Sequence, residues 1–279
     1  MWAAGMAWLV SASPVERRGE LIGAALSAAI VGVLLGPVLG GAATLLSPEA
    51  VFSAVSVLAA VLAFWAWSMP GVEPEASPGI AAMLRALRRP AVIAGFWLFT
   101  IPALFAGVIE VLVPLRMDDL GASGAAIGAV FLVAAGVEAT ISPVAGRWSD
   151  RAGRLAPIRA GLIGAAVMAI VLPLPATAVL LSLTVVLAIA SLAVFWAPGM
   201  AMLSDAAEDA GLDQALAFSL SNLAWAVGHI LGAGAGGAVA EATADAIPYA
   251  GLAVACVLTL LGLSVNRRRR AAVTARLGA

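Results

Sequence analysis

The sequence predicts an all-α integral membrane protein, a helical bundle with about nine membrane segments. Of its 279 residues, 63% are hydrophobic and only 11% are charged, and the mean hydropathy is +1.06. Soluble domains carry about 25% charged residues. The charges are also confined to short stretches between long uncharged runs. These runs are 21–48, 50–72, 90–109, 160–204, 214–240 and 246–266.

Each uncharged run is long enough for a membrane-spanning helix, which needs about 20 residues. The run 160–204 accommodates two spans, with Pro173 and Pro175 in the turn between them. The half-polar segment 122–145 adds another span and residues 1–10 add a partial one, which gives eight full spans and one partial span. The N-terminal stretch could also be read as a signal peptide, but it lacks the positively charged region that such a signal needs.

The distribution of arginine predicts the orientation in the membrane. Every basic residue is arginine, and if the spans alternate, fourteen of the fifteen lie on one side and only Arg116 on the other. By the positive-inside rule, the arginine-rich loops and the C-terminus are expected in the cytoplasm, with the protein in the plasma membrane. The acidic loop 204–214 shares that side, but acidic residues weigh little in the rule.

A long connection divides the chain. Its apolar residues Ile80, Met83, Leu84 and Leu87 have helical spacing with arginines elsewhere on the wheel, which predicts a short amphipathic helix on the inner membrane surface. A disordered basic linker is the alternative. The expected parts are a partial N-terminal half at 1–69, this linker at 70–90, a six-helix half at 91–266 and a basic cytoplasmic tail at 267–279.

An internal repeat indicates two similar halves. The segments GVLLGPVLGG (32–41) and GHILGAGAGG (228–237) share all four glycines at a separation of 196 residues. Small residues at a four-residue spacing let helix backbones approach closely in lipid, and repeated halves are common in transporters. The second half has six spans and the first shows counterparts of only the last three. The chain is therefore expected to lack about three N-terminal helices.

Two motifs resemble those of the major facilitator superfamily. The first resembles the antiporter motif of that superfamily's fifth helix, and consists of Gly23, Gly32, Gly36, Pro37, Gly40 and Gly41. The second, GRWSDRAGRL (146–155), is similar to its signature loop, although Leu155 replaces a usual basic residue; the matching residues are Gly146, Asp150, Arg151, Gly153 and Arg154. The resemblance covers the chain as helices 4–12. It implies a drug:proton antiporter-like transporter. A monomer is expected.

The signature-like loop also has a direct physical interpretation. Gly146 and Gly153 would permit a tight turn between spans, and Pro37 in the first motif would kink its helix. Asp150, at a helix terminus, can accept hydrogen bonds from backbone N–H groups or pair with the neighbouring arginines. Such a cluster can act as a gate between conformations. The alternative is a solvated loop whose arginines only fix the topology.

Ionisable residues inside apolar spans are the candidate coupling and substrate residues, because they are costly there without a function. Glu138 lies well inside its span and is the candidate proton carrier, with a structural hydrogen bond as the alternative. Glu110 could instead be an interfacial residue. His229, the only histidine, can change charge near neutral pH, or simply bond a neighbouring helix. Asn222 and Trp225 precede it on the same helix and could line a cavity, whereas the other tryptophans suit an interfacial belt.

These observations predict secondary active transport, with proton-coupled export of a small molecule by alternating access. The expected partners are the lipid bilayer, a small-molecule substrate and protons, with no cofactor, metal or nucleic acid. A membrane enzyme is disfavoured, because the sequence has no nucleotide-binding loop or metal-spaced cluster, and the lone Cys256 forms no internal disulfide. A transport-incompetent fragment, or a wrongly assigned gene start, is the main alternative. The pattern does not identify the substrate.

Overall fold

The computed structural model describes residues 2–45, 47–68 and 79–277, with side-chain surroundings for all of these except 2–3, 33–34, 36–38, 40–42, 44–45, 80 and 265–277. Within this part the regular structure is entirely helical, which confirms the predicted all-α class. Besides a 3₁₀ turn at Val15–Arg17, the helices are α1 (Trp2–Ser11), α2 (Arg18–Leu45), α3 (Pro48–Trp67), α4 (Gly79–Ala86), α5 (Pro90–Asp119), α6 (Gly124–Ala152), α7 (Leu155–Val171), α8 (Ala178–Glu208), α9 (Gln214–Ala242) and α10 (Ala246–Leu277).

Six of the helices in the described ranges are long and apolar enough to cross a membrane. They are α3, α5, α6, α8, α9 and the part of α10 at Ala246–Ser264. Helix α7 is also apolar but shorter, and it is separated from α8 by a connection that contains Pro173 and Pro175, as predicted. The total of nine membrane segments stays a prediction.

Side-chain caps explain where several helices begin. Ser47, Ser123, Thr177 and Asp213 each accept a hydrogen bond from a backbone N–H three residues later, at the starts of α3, α6, α8 and α9. Such caps satisfy N–H groups that have no partner within the helix, and each contributes about 1 kcal/mol. Short capped turns therefore separate the long apolar helices.

The helix bounds follow the internal repeat. Helix α9 begins 196 residues after α2, and the two helices have 29 and 28 residues. The same separation relates the two glycine-rich segments within them. A superposition of residues 1–69 on 195–265 with three matching helices remains a prediction.

The glycines of the second repeat bring α9 into backbone contact with α5. A Cβ atom on Gly228 would lie 2.5 Å from the carbonyl oxygen of Thr100, and one on Gly232 would overlap the carbonyl oxygen of Leu104. From the other side, a Cβ on Gly107 would overlap the carbonyl oxygen of His229. Without side chains between them, the two backbones pack directly, which is the arrangement that small residues permit in lipid.

We expect Gly232→Val to destabilise the protein, because the new side chain would force α5 and α9 apart. Overpacking of this kind costs about 1–3 kcal/mol. The matched control is Gly234→Val, since a Cβ at Gly234 would meet nothing within 4 Å. The measurement is the thermal unfolding midpoint of each purified variant in detergent. Equal midpoints for the two variants would contradict the close backbone contact.

The first repeat packs differently from the expectation. A Cβ on Gly32 would meet nothing within 4 Å, so this residue makes no close helix contact with the described residues. The close contact of α2 instead lies nearer its start, where a Cβ on Gly23 would overlap the carbonyl oxygen of Ser142 in α6. The surroundings of Gly36, Pro37, Gly40 and Gly41, and with them the expected kink, lie outside the described side chains.

Helix α4 forms where the sequence predicts an amphipathic helix, but its apolar side packs on protein. Ala82, Met83, Ala86 and Leu87 belong to a cluster with buried residues at the ends of α8 and α9. The buried partners are Leu203, Ala206, Ala207, Leu212, Ala217 and Leu220. Leu84 is exposed, and the expected placement of the helix on the membrane surface stays a prediction.

The structure describes only parts of the predicted linker and of the predicted C-terminal tail. Residues 69–78 of the linker lie outside the described residues, as does the side chain of Ile80. The residues expected to form a basic tail continue α10 as helix to Leu277. The domain boundaries themselves remain predictions.

Candidate functional site

A cavity of about 670 Å³ lies between α2, α5, α6, α8 and α9. Its wall is mainly apolar and aromatic, with two carboxylates and one amide. The lining residues are Leu26, Ala29, Ile30, Phe99, Ala106, Ile109, Glu110, Gly128, Phe131, Leu132, Ala135, Glu138, Ile189, Leu192, Trp196, Met200, Asn222 and Trp225. This volume and composition are typical of sites that bind small molecules.

Four residues singled out in the sequence share this wall. Glu110 comes from α5, Glu138 from α6, and Asn222 and Trp225 from α9. His229 follows Trp225 by one helical turn and contacts it directly. The ring centroids of Trp225 and His229 are 4.7 Å apart and their planes differ by 11°, so the two rings are stacked. The structure thus brings all five candidate residues together.

The side chains of Glu110 and His229 lie side by side across the contact between α5 and α9, and they form an ion pair when the imidazole is protonated. The distance between Glu110 Oε2 and His229 Nε2 is 3.5 Å. The direct backbone contact between Gly107 and His229 lies one turn before Glu110 on α5. Residues three apart on a helix lie on similar faces, so this contact holds the carboxylate beside the imidazole.

Glu138 has a different environment on the opposite wall. It is half-buried, and its side chain makes no ion pair with any residue that the structure describes. Its neighbours one turn away on α6, Ala134 and Ser142, are buried, and the Ser142 hydroxyl donates to the Glu138 backbone carbonyl at 2.9 Å. The carboxylate therefore lies in the cavity wall without a charged protein partner in the described part of the chain.

An apolar layer follows the cavity toward the arginine-rich end of the bundle. Phe99 and Trp196 meet edge to face, with centroids 5.0 Å apart and planes at 71°. They pack with a buried cluster that joins α1, α2, α5, α8 and α9. Its members are Met6, Val10, Ile22, Phe99, Ala197, Met200, Ala201, Phe218 and Ala224. Along α2, the charged residues at its start are followed by Ile22 of this cluster and then by the cavity residues Leu26–Ile30. On this helix, the cluster therefore lies between the charges and the cavity.

A charged cluster lies at the arginine-rich end of the bundle, and we call it the gate cluster. It consists of Arg18, Glu20, Arg147, Asp150, Arg154, Asp205 and Glu208. Its centre is Asp150, whose side chain is only 8% exposed. The Asp150 carboxylate accepts hydrogen bonds from the backbone N–H groups of Gly19 at 3.0 Å and Glu20 at 2.9 Å, and it pairs with Arg154. An anion at a helix N-terminus is favoured by the unpaired N–H groups there.

The other contacts of the gate cluster link α2, α6 and α8. Arg154 Nε lies 3.2 Å from Asp205 Oδ2, and Arg18 pairs with Glu208 and lies 3.9 Å from Asp205. Arg147 lies 3.8 Å from Glu20. These pairs join helices that are far apart in the sequence.

The signature-like loop differs from the predicted turn in one respect. Gly153 has a φ of +83° and marks the end of α6, as a turn glycine should. The expectation that Gly146 lies in the turn is wrong, because Gly146 is inside α6, where a Cβ would overlap the Gly19 carbonyl oxygen. Its role is to let α2 and α6 touch beside Asp150. Arg151 is exposed and has no ion pair within the described ranges.

Sequence reasoning missed several residues of the site. In the sequence, Arg18 indicates only topology, and Asp205 and Glu208 belong to an acidic loop on the same side as the arginine-rich loops. Opposite charges on the same side of the membrane were the signal that could have predicted their pairing. Trp196 is among the tryptophans expected in an interfacial belt, but it lies within α8 and lines the cavity.

Comparison with known proteins identifies the family. The family model described as Major Facilitator Superfamily matches residues 103–277, which is more than half of the chain. The chain belongs to the Major Facilitator Superfamily. This superfamily consists of transporters rather than enzymes.

The fold of this superfamily member also resembles a solved structure. The proton:xylose symporter XylE, in complex with 6-bromo-6-deoxy-D-glucose, matches with a TM-score of 0.67 and 15% sequence identity. The match covers 92% of this chain and 65% of the XylE chain, so the chain spans less than two thirds of that protein. At this identity the similarity shows the fold alone. A comparison with curated proteins gave no match.

Proposed function

We propose that the chain acts in secondary active transport, exporting a small molecule across the plasma membrane by alternating access with protons as the coupling ion. The observation that carries this proposal is the cavity with Glu110 and Glu138 in its wall, with an apolar layer and the gate cluster toward one end of it. A site that is shut on one side is what alternating access requires of each of its end states. Membership of the superfamily supports the same reading.

The arginine distribution supports a cytoplasmic location for the gate cluster. On this orientation the present conformation is closed to the cytoplasm. The gate cluster can open repeatedly, because most of its ion pairs are exposed and therefore cost little free energy to break. Glu208 and Asp205 are 50% and 37% exposed, and exposed ion pairs contribute about 0–1 kcal/mol each. Only the buried contact of Asp150 with the start of α2 is expected to contribute more.

Glu138 is the proposed proton carrier of the cycle. An ionised carboxylate in a membrane span is expensive unless it faces a cavity or a partner, and Glu138 lies in the cavity wall. XylE is a proton symporter, which supports protons as the coupling ion but not export. The proposal of export rests on the antiporter-like glycine pattern of α2. A single chain is the proposed transporting unit.

The proposal is tested by transport into proteoliposomes with an acidic interior. The purified chain is reconstituted and exposed to a panel of cationic, neutral and anionic fluorescent amphipathic compounds. We expect at least one compound to accumulate while the pH gradient lasts and to leave when a protonophore is added. Protein-free liposomes are the control. Accumulation of no compound by well-folded protein would favour the transport-incompetent alternative.

A further inference from the structure

We propose that a second pocket, at the end of the bundle opposite the gate cluster, binds a lipid head group that carries both a phosphate and a primary ammonium. We call it the end pocket. It has a volume of about 230 Å³ and lies between the last two turns of α5, the connection after α7, and the starts of α8 and α10. It shares no lining residue with the transport cavity. The proposal is therefore independent of the proposed function.

The wall of the end pocket contains one cation and one anion. Arg116 comes from α5, and Asp245 directly precedes α10. The charges are opposite, yet neither side chain forms an ion pair or a hydrogen bond with any residue that the structure describes. A guanidinium matches the oxygens of a phosphate, and a carboxylate accepts charge-assisted hydrogen bonds from an ammonium. A ligand with one charge of each sign would satisfy both residues, whereas a ligand with a single charge would leave one of them unpaired.

Tyr249 adds a buried polar group to the same wall. The residue is only 3% exposed and lines the end pocket, and its hydroxyl has no hydrogen-bond partner in the described part of the chain. Buried polar groups of folded proteins nearly always have a partner, so a hydroxyl without one in a pocket wall indicates that a ligand or water completes it. A phosphate oxygen can accept this hydrogen bond. Tyr249 and Arg116 would then hold the phosphate together.

The size of the end pocket and its surroundings favour a lipid as the source of this head group. Its volume is below the range of about 300–1,000 Å³ in which drug-sized ligands bind, so it suits a small group. Large apolar side chains next to the lining residues in the chain are exposed, namely Leu115, Leu174, Leu180 and Ile247. In a membrane such side chains contact lipid tails, which are equally apolar. A lipid could therefore place its head group in the pocket and its acyl chains on this surface.

Asp245 is expected to select a primary ammonium. An –NH₃⁺ group donates three hydrogen bonds, whereas the trimethylated ammonium of choline has no N–H group to donate. Ethanolamine is also the smaller group, which suits the limited volume. A head group with a phosphate but no cation would place its negative charge near Asp245 without compensation.

The test measures lipid adducts on the purified full chain in detergent by native mass spectrometry. The probes are phosphatidylethanolamine, phosphatidylcholine and phosphatidylglycerol with identical acyl chains. We expect the first to bind about tenfold or more tightly than the other two, and Arg116→Gln to weaken its binding about tenfold or more. Tyr249→Phe should weaken it about threefold, and Asp245→Asn should remove the preference for ethanolamine over choline. The control is Glu241→Gln, an exposed acid of α9 at the same end that lines neither the end pocket nor the transport cavity.

Equal binding of the three lipids would overturn the proposal, as would an ethanolamine preference that persists in Asp245→Asn or wild-type affinity in Arg116→Gln. If Arg116→Gln does not fold, Tyr249→Phe decides, because it removes a single oxygen atom, and wild-type affinity in that variant overturns the site. A final arm adds glycerophosphoethanolamine, which has the same head group without acyl chains. We expect it not to displace the lipid at equal concentration, and displacement would reject a lipid source in favour of a soluble zwitterion.

Discussion

Replacing Asp150 with asparagine is expected to open the arginine-rich end of the bundle and to slow transport, while the chain stays folded. The carboxylate of Asp150 accepts N–H hydrogen bonds from Gly19 and Glu20 on separate oxygens, and it also pairs with Arg154. An asparagine side chain has only one acceptor oxygen. Its NH₂ group would face one of the N–H groups or the guanidinium, so a donor would meet a donor.

The size of the effect follows from the buried position of Asp150. Hydrogen bonds to a charged group contribute about 1.5–3 kcal/mol, so losing one shifts the equilibrium between closed and open gate by about 10- to 150-fold. The remaining pairs are more exposed and weaker. We therefore expect that they do not restore the closed population on their own, and that the proposed cycle loses one of its two end states.

The opening can be measured as a distance between spin labels on α6 and on the turn before α2. Cysteines at Glu16 and Trp148, both exposed, carry the labels in a Cys256→Ser background. Wild type should give one short distance, and Asp150→Asn should add a longer one. The control Asp209→Asn removes a charge at the same end from a residue without an ion pair in the described region. If Asp150→Asn shows wild-type distances and wild-type flux, Asp150 does not hold the gate closed, and the arginines of the loop only fix the topology.

The second large effect is expected from Glu138→Gln, which should abolish accumulation driven by the pH gradient but permit exchange of substrate across the membrane. Glutamine keeps the shape and the hydrogen-bonding capacity of glutamate but does not titrate. Substrate can then still cross as the two end states interconvert. Without a proton carrier, however, the movement is no longer tied to the gradient.

The energetic reason lies in the position of Glu138. A carboxylate at the centre of a membrane span costs about 3 kcal/mol by insertion scales and more by other estimates. Such a residue is disfavoured in α6 without a function, and this one lies in the cavity wall. The assay measures gradient-driven uptake and counterflow of an accumulated compound from the panel, with Glu241→Gln as the control. Continued accumulation against a gradient by Glu138→Gln would show that the proton is carried elsewhere.

Much of the fold could be predicted because lipid imposes simple rules on a sequence. Uncharged runs predicted the helices, and the glycine spacing predicted the close packing of Gly228 and Gly232 on α5. Glu110, Glu138 and His229 could be singled out because ionisable residues in apolar spans need a cavity or a partner. None of these inferences required knowledge of which helices are neighbours.

The remaining features depend on contacts between distant segments, which the local pattern does not contain. Gly146 resembled a turn residue, but its place in α6 reflects the approach of α2, more than 120 residues earlier in the chain. Gly32 shares the spacing of Gly228 but meets no neighbouring helix among the described residues. The apolar side of α4 predicted burial, yet only the positions of the ends of α8 and α9 determine that the burial is against protein.

The apolar layer and the gate cluster at the arginine-rich end are expected to respond to temperature in the same way. Burial of the apolar layer around Met200 and Phe218 is driven mainly by the entropy of water near room temperature, and its contribution weakens on cooling. The ion pairs of the gate cluster change in the same direction, because the cost of dehydrating charged groups falls as temperature rises. Warming therefore strengthens both layers together. If this end opens in the proposed transport cycle, its closure is entropy-driven, and we expect cooling to favour the open state.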